Sequence, residues 1–270
     1  MMTSLTMMSI ATGRYEMFAL PFAACNAVHP GRRSEIIVDF GRGGDVVASM
    51  PDNVRCHTLV REMPERFRGW QEVPRAALVC NYRGRNPAGS VRWLLTPFLN
   101  GEYTYICDCD ILNTSDSIVF FHANIMEIIA KPYSNIIRPP REEGEQKRLT
   151  GCHFCSTVDF YTQDFENAQE AAATAIEGGD YAYYDERLLY HLIEQTHGLP
   201  PDSFRSYSLR PLHGLHLSLT RNPQDRCGWN INAESVAEYR KLQREPMWRE
   251  ASEHFDPQYK ALLERMEAAL

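Results

Sequence analysis

The segment 105–112, Tyr-Ile-Cys-Asp-Cys-Asp-Ile-Leu, joins a short apolar run to two acidic residues, which limits the folds open to the chain. The apolar part is typical of a buried strand, whereas the charges of Asp108 and Asp110 are costly to bury unless they are paired or bound to a metal. The aspartates should therefore lie where the strand ends. Two carboxylates at this spacing can share one hard divalent cation, which keeps open positions for phosphate oxygens.

The composition is that of a globular protein. Its 270 residues, 44% of them hydrophobic, suffice for one large domain or one domain with an appendage. The net charge of -7 indicates no general affinity for nucleic acid. The scattered cysteines, the lack of a signal-peptide pattern and the lack of an apolar run of about 18 residues predict a soluble, cytoplasmic protein.

Cys152 and Cys155 have the spacing of half a zinc site. A structural zinc site needs a second pair of ligands, and the close pair that the sequence offers, Cys107 and Cys109, is spaced too tightly. We therefore do not expect zinc, and we expect buried free thiols in the apolar segments.

Strand-like and helix-like segments alternate in the first half of the chain. Strand patterns cover residues 6–11, 35–40 and 56–60, and helical spacing covers 15–28 and 90–95. This order predicts an α/β layered fold with a mostly parallel sheet. Ligands of such sheets bind beyond the carboxyl ends of the strands, where the sequence places Thr12, Gly13, Asp39, Asp108 and Asp110.

The second half of the chain is richer in helices. Strand patterns occur at 152–161 and 212–219, and helices are expected at 163–178 and 185–197. From 233 to 270 the chain has the pattern of charged helices, interrupted by Pro246 and Pro257. We expect a main domain over 1–225 and a C-terminal helical extension over 226–270.

These motifs, in this order, resemble those of the GT-A glycosyltransferases, especially retaining families 6 and 8, over roughly residues 5–225. The resemblance implies the GT-A fold, a mixed sheet flanked by helices. The Asp108-Cys109-Asp110 triplet matches the DXD motif, whose aspartates bind manganese and the donor's diphosphate and ribose. The alternative is a solvated acidic turn. Arg92 lies where the family has an arginine that faces the nucleotide.

The run Ala11, Thr12, Gly13, Arg14, Tyr15 resembles the first strand and turn of family 6, which hold the uridine. The family's tyrosine packs on the uracil, and a plain core aromatic is the alternative for Tyr15. We count Asp39, at the end of the second predicted strand, with these nucleotide-binding residues.

The run Tyr184, Asp185, Glu186 resembles the His-Asp-Glu segment of family 6, with a tyrosine in place of the histidine. In that family the acidic pair opens a helix beneath the sugar, and the glutamate faces the anomeric carbon. The alternative is helix capping, in which Asp185 offsets the positive end of the helix dipole. Both can hold together.

The segment that begins at His216 and includes Pro223 resembles the family 8 pattern His-x-x-Gly-x-x-Lys-Pro-Trp, without its glycine and tryptophan. The resemblance implies that His216 is the third metal ligand, and His213 is the competing candidate. Arg221, or Arg210 nearby, would be the cation that binds the diphosphate.

Together these matches imply a retaining transferase of polysaccharide biosynthesis that moves a hexose from a UDP-sugar to a glycan or lipid-linked acceptor, with Mn²⁺ or Mg²⁺ as cofactor. Glu186 would be the nucleophile or would stabilise the cation. In an inverting enzyme Asp185 or Glu186 would be the general base. The alternatives are a nucleotidyltransferase that makes nucleotide sugars and a non-catalytic binding protein on the same fold.

Basic residues surround Met247 and Trp248 near the C-terminus. They suggest peripheral contact with the inner face of a membrane, close to a lipid-linked acceptor. Acidic residues dilute this charge. The alternative is therefore a solvated helix that packs through its apolar stripe.

Overall fold

The computed structural model describes residues 4–11, 13–38, 54–58, 88–97, 101–115, 117–138, 147–177, 185–201, 214–217 and 233–269. Within these ranges the strands are β1 (Leu5–Ala11), β2 (Arg32–Val38), β3 (Val54–Thr58), β4 (Tyr103–Ile106), β5 (Ile111–Leu112), β6 (Tyr133–Ser134), β7 (Ile137–Arg138), β8 (Arg148–Leu149), β9 (His153–Ser156) and β10 (Leu215–His216).

The helices of the described residues lie between and after these strands. A 3-10 helix, Gly13–Phe18, leads into α1 (Ala19–Ala27). The others are α2 (Ala88–Val91), α3 (Ile118–Ile129), α4 (Thr157–Phe160), α5 (Gln163–Glu177), α6 (Glu186–Thr196), α7 (Ala233–Leu242), α8 (Pro246–Glu253) and α9 (Pro257–Ala269). In this part of the chain, none of the helices combines the length and apolarity that a membrane crossing needs.

Six strands form one sheet in the order β3-β2-β1-β4-β9-β6. The four strands β3, β2, β1 and β4 run parallel to one another, whereas β9 pairs antiparallel with both β4 and β6. The remaining strands form two small ladders, β5 with β10 and β7 with β8. The predicted α/β fold class, a mixed sheet flanked by helices, is confirmed by this strand order.

The order of the sheet reverses between β1 and β4, because β2 and β3 lie on one side of β1 and the later strands on the other. The two strands stay in contact beyond Ile106. The backbone N–H of Cys107 donates to the carbonyl of Met8 at 3.1 Å, and the hydroxyl of Ser9 donates to the carbonyl of Cys107 at 2.7 Å. Ligands of α/β sheets bind at such a switch point.

Side chains alternate across the central strands, so the sheet separates two buried clusters. Met7 and Tyr105 belong to the cluster that contains α1, whereas Met8 and Ile106 belong to the cluster that contains apolar residues of α5 and α6. Helices thus cover both faces of β1, which explains why the strand is apolar almost throughout.

The C-terminal helices pack on the cluster around α1. The ring of Tyr259 lies edge-on to Phe18, with centroids 5.6 Å apart. Trp248 is 4% exposed and packs edge-on against Phe255, which favours the packed-helix interpretation of this region. Both α8 and α9 begin at a proline, where the missing N–H is not needed. The domain boundary at residue 225 stays a prediction.

Some predicted elements are shorter in the structure. The helix expected over 90–95 ends at Val91, and Trp93 and Leu94 make only i−3 turn hydrogen bonds. The strand expected over 152–161 ends at Ser156, where α4 begins. Of the strand expected over 212–219, the described residues contain β10.

Candidate functional site

Asp108, Asp110 and His216 come together beyond the carboxyl end of β4. Each offers one ligand atom, and these atoms lie within 4.8 Å of one another. The β5–β10 ladder creates this arrangement, because it pairs His216 with Ile111 and lets the N–H of Leu217 donate to the carbonyl of Asp110 at 2.8 Å. The Nε2 of His216 then lies 3.2 Å from the Oδ1 of Asp110.

The donor set of this cluster fits a divalent metal ion. Two carboxylates and an imidazole are ligands that Mn²⁺ accepts. The Asp110 side chain is buried, while that of Asp108 is 44% exposed, so a ligand can reach the cluster from the Asp108 side. Cys109 lies in the core between them. Burial raises the pKa of its thiol well above the ordinary value, so it stays protonated and is a poor metal ligand.

Arg92 connects this cluster to the start of α6. Its Nη1 donates to Asp108 at 2.8 Å, and its Nη2 donates to Asp185 at 2.9 Å. Burial lowers the pKa of Arg92, but the charges of Asp185 and Asp108 outweigh it and leave that pKa above the ordinary value. The guanidinium, which is also 4.6 Å from the ring centre of Trp93, therefore stays charged.

Asp185 has a positive φ, and one of its two carboxylate oxygens accepts hydrogen bonds from the described residues. Its φ is 48° with ψ −123°, and its N–H donates to the hydroxyl of Ser90 at 2.7 Å. Its Oδ1 accepts from Arg92 and from the indole N–H of Trp93 at 3.2 Å. Its Oδ2 makes no hydrogen bond within the described residues. The residue stands at the N-cap of α6 but makes no side-chain capping hydrogen bond, so that part of the capping alternative is not observed.

Glu186 is more enclosed than Asp185. Its Oε2 accepts from Nη1 of Arg148, and its Oε1 accepts from the backbone N–H of Gly151 at 3.0 Å. A second arginine, Arg138, places its Nη1 3.9 Å from Oε1. The Glu186 side chain is 14% exposed. Both of its oxygens are thus engaged by the β7–β8 arginines and the following loop.

Gly151 lies where the charged groups of the site converge. A Cβ at this position would be 3.2 Å from the Nη2 of Arg92, 3.4 Å from a carboxylate oxygen of Asp108 and 3.5 Å from one of Glu186. The absence of a side chain therefore lets the three charged groups approach one another. The neighbouring Thr150 is fixed by Asn135, whose Oδ1 accepts from its N–H at 3.0 Å and from its hydroxyl at 2.8 Å.

The sequence did not point to Arg138, Arg148, Gly151 or Asn135. None belongs to a motif with recognisable spacing. The signal that could have drawn attention to them is the pair of arginines at the edges of the polar stretch before Cys152, with a glycine three residues after the second arginine.

The structure describes some of the other predicted site residues and not the rest. Ala11 ends β1 and is fully buried, and Gly13 opens the 3-10 helix. Tyr15 is half-buried, with its ring 5.8 Å from that of Phe18, so both interpretations of this tyrosine stay open. Several predicted residues lie outside the described residues: Thr12, Asp39, Tyr184, Arg210, His213, Arg221 and Pro223.

No family model matches the sequence, and no curated protein matches it either. Among solved structures, the apo form of the glycosyltransferase GlyE from Streptococcus pneumoniae TIGR4 is 11% identical with a TM-score of 0.46, over 96% of this chain and 64% of that chain. The chain thus spans less than two thirds of the length of GlyE.

Two further neighbours have lower TM-scores. The 4-diphosphocytidyl-2C-methyl-D-erythritol synthase from Anaerococcus prevotii DSM 20548 is 7% identical with a TM-score of 0.42, over 90% of this chain and 97% of that chain. The PaToxG glycosyltransferase is 14% identical with a TM-score of 0.33, over 98% and 83% of the two chains. These similarities assign no family, and membership of families 6 or 8 stays a prediction.

Proposed function

We propose that the protein is a metal-dependent glycosyltransferase that moves a sugar from a nucleotide diphosphate sugar, a UDP-hexose, to a hydroxyl of a glycan or lipid-linked acceptor. One observation carries this proposal. The Asp108, Asp110 and His216 cluster lies beyond the carboxyl end of β4, at the position where the order of the sheet reverses and where such sheets bind ligands.

The three residues of the cluster would hold Mn²⁺ or Mg²⁺, and the imidazole favours Mn²⁺ because Mg²⁺ prefers oxygen ligands. A bound ion would act as a Lewis acid toward the charge that grows on the leaving diphosphate. Arg221 would donate charged hydrogen bonds to the same diphosphate. The uridine would contact the turn after Ala11, with Tyr15 and Asp39 near the base and ribose.

The charges of the site suit an anionic ligand that arrives with a metal. Within the described residues the site contains three arginines, Arg92, Arg138 and Arg148, and four carboxylates, Asp108, Asp110, Asp185 and Glu186. With His216 neutral, these seven charged side chains sum to one net negative charge. A bound divalent cation would change this sum to one net positive charge. A diphosphate is attracted to the second state and repelled by the first.

Asp185 is the carboxylate that we assign to the sugar. Arg92 and Trp93 fix its Oδ1, which leaves Oδ2 to accept a hydrogen bond from a sugar hydroxyl or to stabilise positive charge on the ring. Its positive φ supports a functional role, because strained backbone of this kind concentrates at active sites. We propose retention of anomeric configuration, as in the families that the motifs resemble.

A thermal-shift screen of nucleotides and UDP-sugars, with and without Mn²⁺, tests the proposal. We expect UDP with Mn²⁺ to raise Tm, and we expect Asp110→Asn to abolish this rise because it removes a buried ligand. The control is Asp164→Asn, which changes an exposed aspartate of α5 and should leave the rise intact. By analogy with oxyanion donors, each lost group should cost about 2.7–4 kcal/mol of barrier, so Asp110→Asn should lower turnover at least about a hundredfold.

Two other outcomes would replace this function. Release of pyrophosphate from UTP and a sugar phosphate would identify a nucleotidyltransferase. A UDP effect on Tm that needs no metal, together with no turnover of any UDP-sugar, would indicate a binding protein. No stabilisation by any nucleotide would reject the proposal altogether.

A further inference from the structure

We infer that Glu186 is a positioning residue: it clamps the Gly151 backbone and Arg148 to the start of α6 and so holds the neighbouring Asp185 and Arg92 in their working geometry. This inference rests on the proposed function and concerns the same site. It replaces the expectation that Glu186 itself faces the anomeric carbon.

The contacts of the two adjacent carboxylates differ in kind. Glu186 has one oxygen on Arg148 and the other on the N–H of Gly151, with Arg138 close to the second oxygen. Asp185 has one engaged oxygen and is 38% exposed, against 14% for Glu186. A carboxylate whose two oxygens both accept from cationic or N–H donors is a weaker nucleophile than one with an unengaged oxygen, because these charge-assisted bonds stabilise its lone pairs. Its geometry is that of an anchor.

The anchored segment is short and is held at both ends. Arg148 and Gly151 are fixed to Glu186, and between them Thr150 is fixed to Asn135 by hydrogen bonds from its N–H and hydroxyl. Asn135 is itself buried. Without Glu186 the segment would keep its pairing with β7 and its attachment to Asn135 but lose its hydrogen bonds to α6, and the Gly151 backbone could move away from that helix.

Movement of Gly151 would reach the reacting groups directly. The Cβ position of Gly151 is 3.2 Å from the guanidinium of Arg92, so this backbone forms one wall around the arginine. Arg92 in turn holds Asp185 at 2.9 Å. Loss of the clamp should therefore disturb the placement of Asp185, and misplacement of about 1 Å can cost about a hundredfold in rate. The metal ligands Asp110, next to β5, and His216, in β10, are held by the β5–β10 ladder and should be disturbed less than Asp108, which Arg92 contacts.

Four proteins test the inference: wild type, Glu186→Gln, Arg148→Gln and the double variant. The control is Glu194→Gln, which makes the same change at an exposed position of the same helix. Hydrogen exchange of the peptide 147–153 measures the clamp without any substrate. The kcat for hydrolysis of the UDP-sugar selected in the nucleotide screen, its pH profile, and the Kd for UDP with Mn²⁺ measure the effect on the site.

We expect both single variants to lose protection in 147–153 and to lower kcat by similar factors, about tenfold to a hundredfold. The kcat of the double variant should be no lower than that of the less active single variant, because both changes open the same clamp. The Kd for UDP should change less than about threefold, and the acidic limb of the pH profile should persist in Glu186→Gln because another carboxylate produces it. Glu194→Gln should match wild type.

The inference is overturned in three ways. Unchanged exchange in Glu186→Gln would mean that no clamp exists. Lost exchange protection in 147–153 with unchanged kcat would mean that the Glu186–Arg148 contact stabilises the fold but does not affect the reaction. A far greater loss of kcat in Glu186→Gln than in Arg148→Gln, together with loss of the acidic limb, would make Glu186 a reacting group. If wild type binds no nucleotide, the proposed function fails, and the exchange experiment still decides whether the clamp exists.

Discussion

The imidazole of His216 lies 3.2 Å from the Oδ1 of Asp110, although more than a hundred residues separate the two in the sequence. Asp110 follows β4 in the first half of the chain, and His216 arrives with β10 from the second half. The three-ligand cluster therefore exists only when both halves are folded together. A metal ion bound there would stabilise the native state of the whole chain.

Removal of the metal should lower the free energy of unfolding. A ligand that binds only the native state at a hundred times its Kd adds about 2.7 kcal/mol. We expect urea unfolding of wild type to show a gain of this size with excess Mn²⁺ and to lose it with EDTA. His216→Gln should show a smaller gain, whereas His254→Gln, at an exposed position, should behave as wild type. Equal gains in the two variants would show that His216 is not a ligand.

Arg92→Lys should weaken the site although it conserves the charge. A lysine is a single compact cation and cannot donate to Asp108 and Asp185 from two fixed nitrogens as the guanidinium does. Loss of one partner of a fully buried ion pair costs about 3–5 kcal/mol, and we expect Arg92→Met to cost less than this because Asp108 and Asp185 are 44% and 38% exposed. Arg92→Lys should lose less stability but most of the UDP-sugar turnover. Urea unfolding and kcat/KM measure the two effects, and near-normal turnover in Arg92→Lys would contradict the bridging role.

Gly151→Ala and Gly101→Ala should separate function from folding. The added methyl at 151 would meet charged side-chain ends at 3.2–3.5 Å, which can shift slightly. At 101 it would meet the backbone of Thr6 at 2.8 Å and that of Tyr103 at 2.8 Å, which cannot. We expect Gly151→Ala to reduce UDP-sugar turnover at least about tenfold, since small displacements of reacting groups are costly, with little change in Tm. Gly101→Ala should lower Tm, and the reverse pattern would contradict this description of the site.

Stability should fall in mild acid because of His153. Burial, with a smaller contribution from His197, lowers the pKa of His153 from 6.5 to about 3. Between these values the unfolded chain binds a proton that the native protein excludes. The free energy of unfolding should therefore fall as the pH drops from about 6.5 toward 3, by up to about 1.4 kcal/mol per pH unit.

Urea unfolding at pH 5 and pH 7 measures this effect. His153→Gln should reduce the difference in unfolding free energy between the two pH values. The exposed His254 provides the comparison, since His254→Gln should leave the difference unchanged. An identical pH dependence in wild type and His153→Gln would exclude His153 as its source.

Features with a local cause could be predicted from the sequence. The alternation of strands and helices gave the α/β class, and the change from apolar to acidic residues at Asp108 marked where β4 ends. The partners of Glu186 could not be predicted in this way. Arg148 and Gly151 reach it through the tertiary fold, and no spacing in the chain relates them to position 186. Two-residue strands such as β5 and β10 are likewise too short to have a period.

The positive φ of Asp185 also constrains what can replace it. Backbone of this kind suits glycine and is tolerated by few other residues, at a cost of about 1–3 kcal/mol. Glycine and alanine at this position would both lack the carboxylate, yet only glycine would relieve the backbone. Two requirements therefore restrict substitution at position 185: the site needs a carboxylate, and the backbone conformation is unfavourable for most residues that have a side chain.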